Sequence, residues 1–325
     1  MFPFRYTKAT DEQSALAAAT SGARYIAGGT TLVDLMRETV ERPEAVVDIN
    51  ALPYTSIDLR PANVRIGSLV RMSDLAAHPG VRKQIPMITE ALELSASAQL
   101  RNMASIGGNL MQRPRCPYFR DVSAPCNRRD PGSGCAAIAG RNRTHAILGT
   151  SEQCVATHPS DLAVALVALD AVVVARNEGG ERRIAIADFY RQPGTTPQQE
   201  HTLRPGELIV AVDVPIGTEA RRSGYLKVRD RESYDFALAS AAVALDFAAG
   251  TVRTARVAVG GIATVPWRLP AVESALRGQP VSAEVFRNAA SLAADGAKPL
   301  SENGFKVELV KRTVERQLAT VAAIP

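Results

Sequence analysis

The chain has 325 residues, 46% of them hydrophobic and 22% charged, which excludes intrinsic disorder and allows two or three units with cores of their own. The net charge is +5, but aromatic residues make up only 5% and no nucleic-acid motif is present, so an anionic cofactor or a partner subunit accounts for the basicity better than nucleic acid does. The opening residues, Met1 to Lys8, hold no apolar run of signal-peptide type, and the most apolar stretch, 162–175, is broken by Asp170 and too short to span a bilayer. A soluble chain without a signal of its own is therefore expected.

The first fifty residues read as alternating strands and helices. Thr10-Asp11-Glu12-Gln13 is a capping-box pattern opening an Ala-rich helix. A short strand at 24–27 leads through Gly28-Gly29-Thr30 into a helix at 31–37, and an apolar strand follows at 45–49. Strand signals continue at 56–59 and 64–69, and helical ones at 73–77 and 86–94. Residues 104–109 read as a Gly-rich turn. From 111 to about 144 no period of 2 or 3.6 holds, and a loop of that length inside a compact domain is usually functional or disordered.

Order returns with a buried helix at 160–169, behind a Ser cap. A hairpin follows, from 171–175 to 183–186 around Asn177-Glu178-Gly179-Gly180, and then a strand at 208–214. Beyond a boundary near 215–222 come strands around 224–228, 237–247 and 252–259, spaced as a meander. Helices then follow near 272–277, 283–294 and 303–318, the last with Val307, Val310, Val314 and Leu318 in one stripe. The second unit thus reads as an antiparallel sheet carrying helices.

Ile26-Ala27-Gly28-Gly29-Thr30-Thr31-Leu32 sits between a strand and a helix. Such a turn is either a plain strand-to-helix connection or an anion site, built from backbone N–H groups and a helix N-terminus and suited to a pyrophosphate. The G-x-G-x-x-G spacing of the Rossmann fold is missing. Arg101 to Asn109 repeats the logic. Ser105 is a possible phosphate donor, Gly107 and Gly108 permit close approach, and Asn109 bonds in both directions. Ser160-Asp161 opens the next helix, as a simple N-cap pair or as a ligand contact.

The four cysteines, Cys116, Cys126, Cys135 and Cys154, are separated by nine, eight and eighteen residues and lie in or just past the aperiodic segment. Two disulfides would need an oxidising compartment. A Cys₄ zinc site usually shows paired C-x₂₋₄-C knuckles, which are missing, and unrelated buried cysteines would scatter along the chain. A [4Fe–4S] cluster needs four thiolates and tolerates varied spacing, and its binding would order the loop. Seven arginines lie between 113 and 143, with only Asp121 and Asp130 nearby in sequence. They form either a solvated basic face or a cationic setting for a cluster.

The ordered set Ala27-Gly28-Gly29-Thr30, Ala104-Ser105-Ile106-Gly107-Gly108-Asn109 and Ser160-Asp161 resembles the FAD subunits and domains of the xanthine dehydrogenase and carbon monoxide dehydrogenase family. The resemblance runs over the whole chain. It implies that the two glycine turns, through Ile26 to Leu32 and Ser105, Gly107, Gly108 and Asn109, wrap the FAD pyrophosphate. It also implies that Asp161 serves the adenosine part, that Ile209 contacts the cofactor, and that Lys227 lies near the flavin, where a cation favours the reduced form. Gly260-Gly261-Ile262-Ala263 with Pro266 and Arg268 resembles the family's C-terminal domain. Arg115-Cys116-Pro117-Tyr118-Phe119, Pro125-Cys126-Asn127 and Pro131-Gly132-Ser133-Gly134-Cys135 resemble the FAD subunits of periplasmic aldehyde oxidoreductases, which carry a [4Fe–4S] cluster in this insertion.

The fold expected is α+β. A two-subdomain FAD-binding domain of the vanillyl-alcohol-oxidase type (1–53 and 54–218, with an iron–sulfur loop at 111–154) is followed by a C-terminal antiparallel sheet with helices (219–325). The function implied is electron transfer in a molybdenum-dependent aldehyde oxidoreductase. Molybdenum cofactor and [2Fe–2S] clusters would sit in two partner subunits, and an external acceptor would take the electrons. The resemblance also implies a periplasmic site by co-export with a signal-bearing partner, and otherwise the cytoplasm. No molybdopterin pattern, plant-type [2Fe–2S] run or hydrolase triad appears. The alternatives are a self-contained FAD oxidoreductase, which would turn over alone, and a zinc-stabilised scaffold without redox work.

Overall fold

A computed structural model describes residues 1–324. Its strands form three sheets. The first is small and parallel: Ala45–Asp48 lies between Arg5–Lys8 and Arg24–Ile26. The Glu12–Thr20 helix connects the outer pair. Its N-cap is Asp11 rather than Thr10, because Ser14 closes the capping box by accepting from the Asp11 N–H while Asp11 Oδ1 accepts from Ser14 N at 2.7 Å.

The second sheet is antiparallel with five strands, in the order Ile57–Leu59, Asn63–Gly67, Leu208–Pro215, Val172–Asn177 and Gly180–Ala185. Leu208–Pro215 sits in the middle and is buried along nearly its whole length, its one charged residue, Asp213, being paired with Arg65 and Arg183. Helices Pro86–Glu93 and Asp161–Ala168 share one core with this sheet and lie against the strands of the third, and the second helix is buried at every position. The hairpin is tighter than the sequence suggests. Asn177 pairs with Gly180, so only Glu178 and Gly179 form the turn, and Gly180 takes a φ of +119°.

The third sheet has the antiparallel order Trp267–Arg268, Thr251–Gly260, Ala239–Ala248 and Ser223–Val228. The 18-residue helix Phe305–Ala322 lies across it, burying Val310, Val314, Leu318 and Val321. Val307, read as part of that stripe, is only half-buried, and the neighbouring Lys306 is enclosed instead.

Two expectations change in physical form. Residues 104–109 are not a simple turn: Ser105 caps a short helix, Ile106–Leu110, by accepting from Gly108 N at 3.2 Å. The aperiodic segment is ordered, with short helices at Pro117–Arg120 and Ala136–Ala139. No helix among the described residues is long and apolar enough to cross a membrane.

Candidate functional site

Between the parallel sheet and the central antiparallel sheet lies a cleft walled by residues 26–32 on one side and by Ile209 on the other. Gly29 takes φ +70°, a left-handed conformation that turns the chain from strand into the Leu32–Arg37 helix. That helix starts at Thr31 without a side-chain cap; Val33 N donates to Gly29 O at 2.9 Å, while the Thr31 and Leu32 N–H groups have no acceptor among the described residues. The geometry suits an anion at this point.

The second turn forms the cleft's other border, with Ser105, Gly107 and Gly108 lining it. Its position is fixed by the chain behind it. Ile106 N donates to Val70 O at 2.9 Å and Gly107 N to Ser68 O at 2.7 Å. The glycines serve the protein first. A Cβ on Gly28 would fall 1.9 Å from the Met103 carbonyl oxygen, and one on Gly107 would come 3.0 Å from Ser68 Cβ. Gly28 thus lets the first turn lie directly against the helix that leads into the second. Ser105 is committed as an N-cap acceptor, and Asn109 is also engaged, its Oδ1 accepting from Ser160 Oγ at 2.6 Å.

A second cleft adjoins the first. Thr30, Thr31 and Gly108 border both, and the second continues past Asn109 to Asp161 and Lys227. Asp161 and Lys227 form a buried ion pair at 2.8 Å, with side chains 7% and 1% exposed. Tyr225 Oη donates to Asp161 Oδ1 at 2.7 Å and Ser95 Oγ to Oδ2 at 3.0 Å, while Lys227 Nζ also donates to Leu94 O at 3.1 Å. Burial, and then the Asp161 charge, push the Tyr225 hydroxyl well above its usual range, so it stays a donor. Asp161, expected at the adenosine part of the cofactor, and Lys227, expected near the flavin, touch each other. The pair occupies one end, and Ile209 lines the other. Every residue singled out for cofactor binding borders one of the two clefts.

The cysteine segment docks on the same helix that follows the first glycine turn. Arg115 and Arg120 both pair with Asp34, at 3.2 and 2.8 Å, and Phe119 packs on Leu35 and Cys126. Arg129 donates to the carbonyls of Tyr118 and Phe119, and Asn127 Oδ1 accepts from Gly132 N and Gly134 N. Most of the arginines therefore do not form a solvated face. Their acidic partners Asp34, Glu38, Glu41, Glu200 and Asp230 come from elsewhere in the chain. All four cysteines are free thiols lining one small cavity, with Cys126 and Cys135 paired across a β-bridge. His145 Nε2 lies 3.2 Å from Cys116 Sγ. Burial raises the Cys116 thiol to about 12 and lifts Cys135 as well. Among the described residues, no three His, Cys, Asp or Glu side chains stand close enough to share a single ion.

The model of the FAD-binding domain in molybdopterin dehydrogenases matches residues 2–217, and that of the carbon monoxide dehydrogenase flavoprotein C-terminal domain matches residues 224–321. The chain belongs to the flavoprotein subunits of the molybdopterin dehydrogenases. It is 47% identical to the aldehyde oxidoreductase FAD-binding subunit PaoB of Escherichia coli, over 99% of both chains. It is 26% identical to the glyceraldehyde dehydrogenase medium chain of Sulfolobus acidocaldarius, over 99% of this chain and 100% of that one. In fold it matches a solved carbon monoxide dehydrogenase from Hydrogenophaga pseudoflava with a TM-score of 0.76 at 24% identity, covering 99% of both chains.

For this flavoprotein subunit, sequence reasoning missed Tyr225 and Ser95 as partners of Asp161, and Arg128 as the donor to Cys154 Sγ at 3.5 Å. Tyr225 stands two residues before Lys227 on one strand, so the alternation of that strand could have placed both on one face. No local signal marks Ser95 or Arg128.

Proposed function

We propose that this subunit holds FAD across the two adjoining clefts and relays electrons within a molybdenum-dependent aldehyde oxidoreductase. The observation that carries the reading is the meeting of the clefts at Thr30, Thr31 and Gly108, beside the uncapped helix start. In this reading Gly28, Gly29, Thr30, Thr31, Ser105, Gly107 and Gly108 border the pyrophosphate. Ile26, Ala27, Leu32 and Ile209 enclose the adenosine end. Asn109, Asp161 and Lys227 border the flavin end. FAD, when bound, supplies one- and two-electron chemistry. The chain's own residues bind and orient the cofactor, and the Asp161 carboxylate tempers the charge that Lys227 presents to it.

The four cysteines are proposed to hold a [4Fe–4S] cluster. A single tetrahedral zinc would need all four sulfurs within about 2.3 Å of one point, and no such close group is present among the described residues. A four-iron cluster spreads its thiolates further apart, which suits four cysteines lining one cavity. Aldehyde oxidation would then take place at molybdenum in one partner subunit, with [2Fe–2S] clusters in another and an external acceptor receiving the electrons. The name of the PaoB relative supports the aldehyde assignment.

Purification of the chain alone and with its two partners tests the proposal. The isolated chain should carry FAD yet oxidise no aldehyde, and the complex should turn over only when this chain is loaded with FAD. Turnover by the isolated chain would establish a self-contained FAD oxidoreductase instead.

A further inference from the structure

Three guanidiniums, of Arg24, Arg113 and Arg128, gather around two carboxylates, Glu41 and Glu200, and Arg128 also lines the cysteine cavity. Arg128 is the most enclosed of the three, at 6% exposure. Its Nη1 pairs with Glu200 Oε2 at 3.1 Å and its Nη2 donates to Cys154 Sγ at 3.5 Å. Its Nε finds no acceptor among the described residues. The side chain forms part of the wall of the cysteine cavity and, on its other side, of the cleft that contains Glu200. Glu200 is shared, because Arg113 Nη2 reaches it at 2.7 Å. Arg128 is thus a buried cation with half a counter-ion and one sulfur. Burial of that kind is costly unless a further negative charge faces it. A thiolate at Cys154 provides that charge, and a polyanionic cluster provides more.

We propose that Arg128 is a positioning residue that sets the reduction potential of the four-cysteine centre, an inference that rests on the [4Fe–4S] reading above. With four thiolates the oxidised cluster carries a charge of about −2, and uptake of one electron from a reductant takes it to about −3 with no proton moved. A guanidinium donating to a ligand sulfur stabilises the more negative form more strongly, and so raises the potential. Glu200 acts in the opposite sense, because its carboxylate offsets the Arg128 charge. The signature is a pair of opposite shifts: downward for Arg128→Met, upward for Glu200→Gln. A purely structural Arg128 would change cluster content without producing that pair.

The test uses the whole complex, purified anaerobically. Iron and sulfide are counted first. The midpoint potential is then read by electron paramagnetic resonance during a titration with dithionite. Wild-type protein should contain about four iron and four sulfide in the cysteine centre. Arg128→Met should weaken cluster reduction by about tenfold, equivalent to about 59 mV for one electron, and Glu200→Gln should strengthen it. Full iron content with unmoved midpoints in both variants overturns the proposal and leaves the cluster reading standing. A wild-type complex with no iron at this centre overturns the cluster reading itself. If Arg128→Met fails to hold iron, Glu200→Gln decides: an upward shift supports the proposal, and an unchanged midpoint refutes it.

Discussion

Replacing Lys227 with Met removes one half of the Asp161 ion pair from an enclosed site. Deleting one member of a buried pair costs about 3–5 kcal/mol, because the other charge stays buried without its counter-ion. Asp161 would keep the Tyr225 and Ser95 hydroxyls as donors, which places Lys227→Met at the lower end, about 3 kcal/mol. Asp161→Leu leaves Lys227 with only the Leu94 carbonyl among its neutral acceptors and belongs at the upper end, about 5 kcal/mol. At roughly 2–4 °C per kcal/mol for a unit of this size, Lys227→Met should lower the melting temperature by about 6–12 °C. Losses from neighbours in one network are not additive, so the double variant should be more stable than Asp161→Leu alone. The assay is calorimetry on FAD-stripped protein, so that cofactor binding does not enter. A double variant that melts at the sum of the two single losses would refute the buried-pair reasoning.

Three further perturbations probe other parts of the account. Gly28→Ala puts a Cβ 1.9 Å from the Met103 carbonyl, so the two turns must part, and FAD affinity measured by fluorescence should fall at least tenfold; undiminished affinity would contradict the turn-to-turn contact. Cys126→Ser should remove iron and expose the 111–154 segment to protease while leaving most of the flavin bound, because the glycine turns hold their place through their own backbone bonds; full iron content would remove Cys126 from the ligand set. Lys306 is enclosed, with Nζ donating to the carbonyls of Thr144 and Gly261, and burial lowers its pKa from 10.5 to about 7. The unfolded chain therefore binds the extra proton between these values, so stability should rise with pH from about 7 to about 10.5. Urea midpoints across that window should show the rise in wild-type protein and lose it in Lys306→Met; equal slopes would refute it.

The parts of the site legible in the sequence are those built locally. Gly29 supplies a left-handed step between strand and helix, Ser160 is an N-cap, and the Val310, Val314, Leu318 stripe is a period within one helix. The Ile106–Leu110 helix was hidden because Gly107 and Gly108 are poor helix formers, held in place by the cap and by the chain at Ser68. What the sequence concealed is tertiary. The arginines around the cysteines look unopposed, yet Asp34 and Glu200 reach them from far along the chain. The pairing of Asp161 with Lys227 spans 66 residues and joins two roles that family resemblance had set apart. Lys306 lies inside an amphipathic pattern that gives no hint of its burial, since two distant carbonyls satisfy it.

The most direct test of the central claim is an anaerobic absorbance spectrum of the purified chain, with flavin, iron, sulfide and zinc assayed on the same sample. Stoichiometric FAD together with about four iron and four sulfide is the predicted result. Zinc without flavin would contradict it.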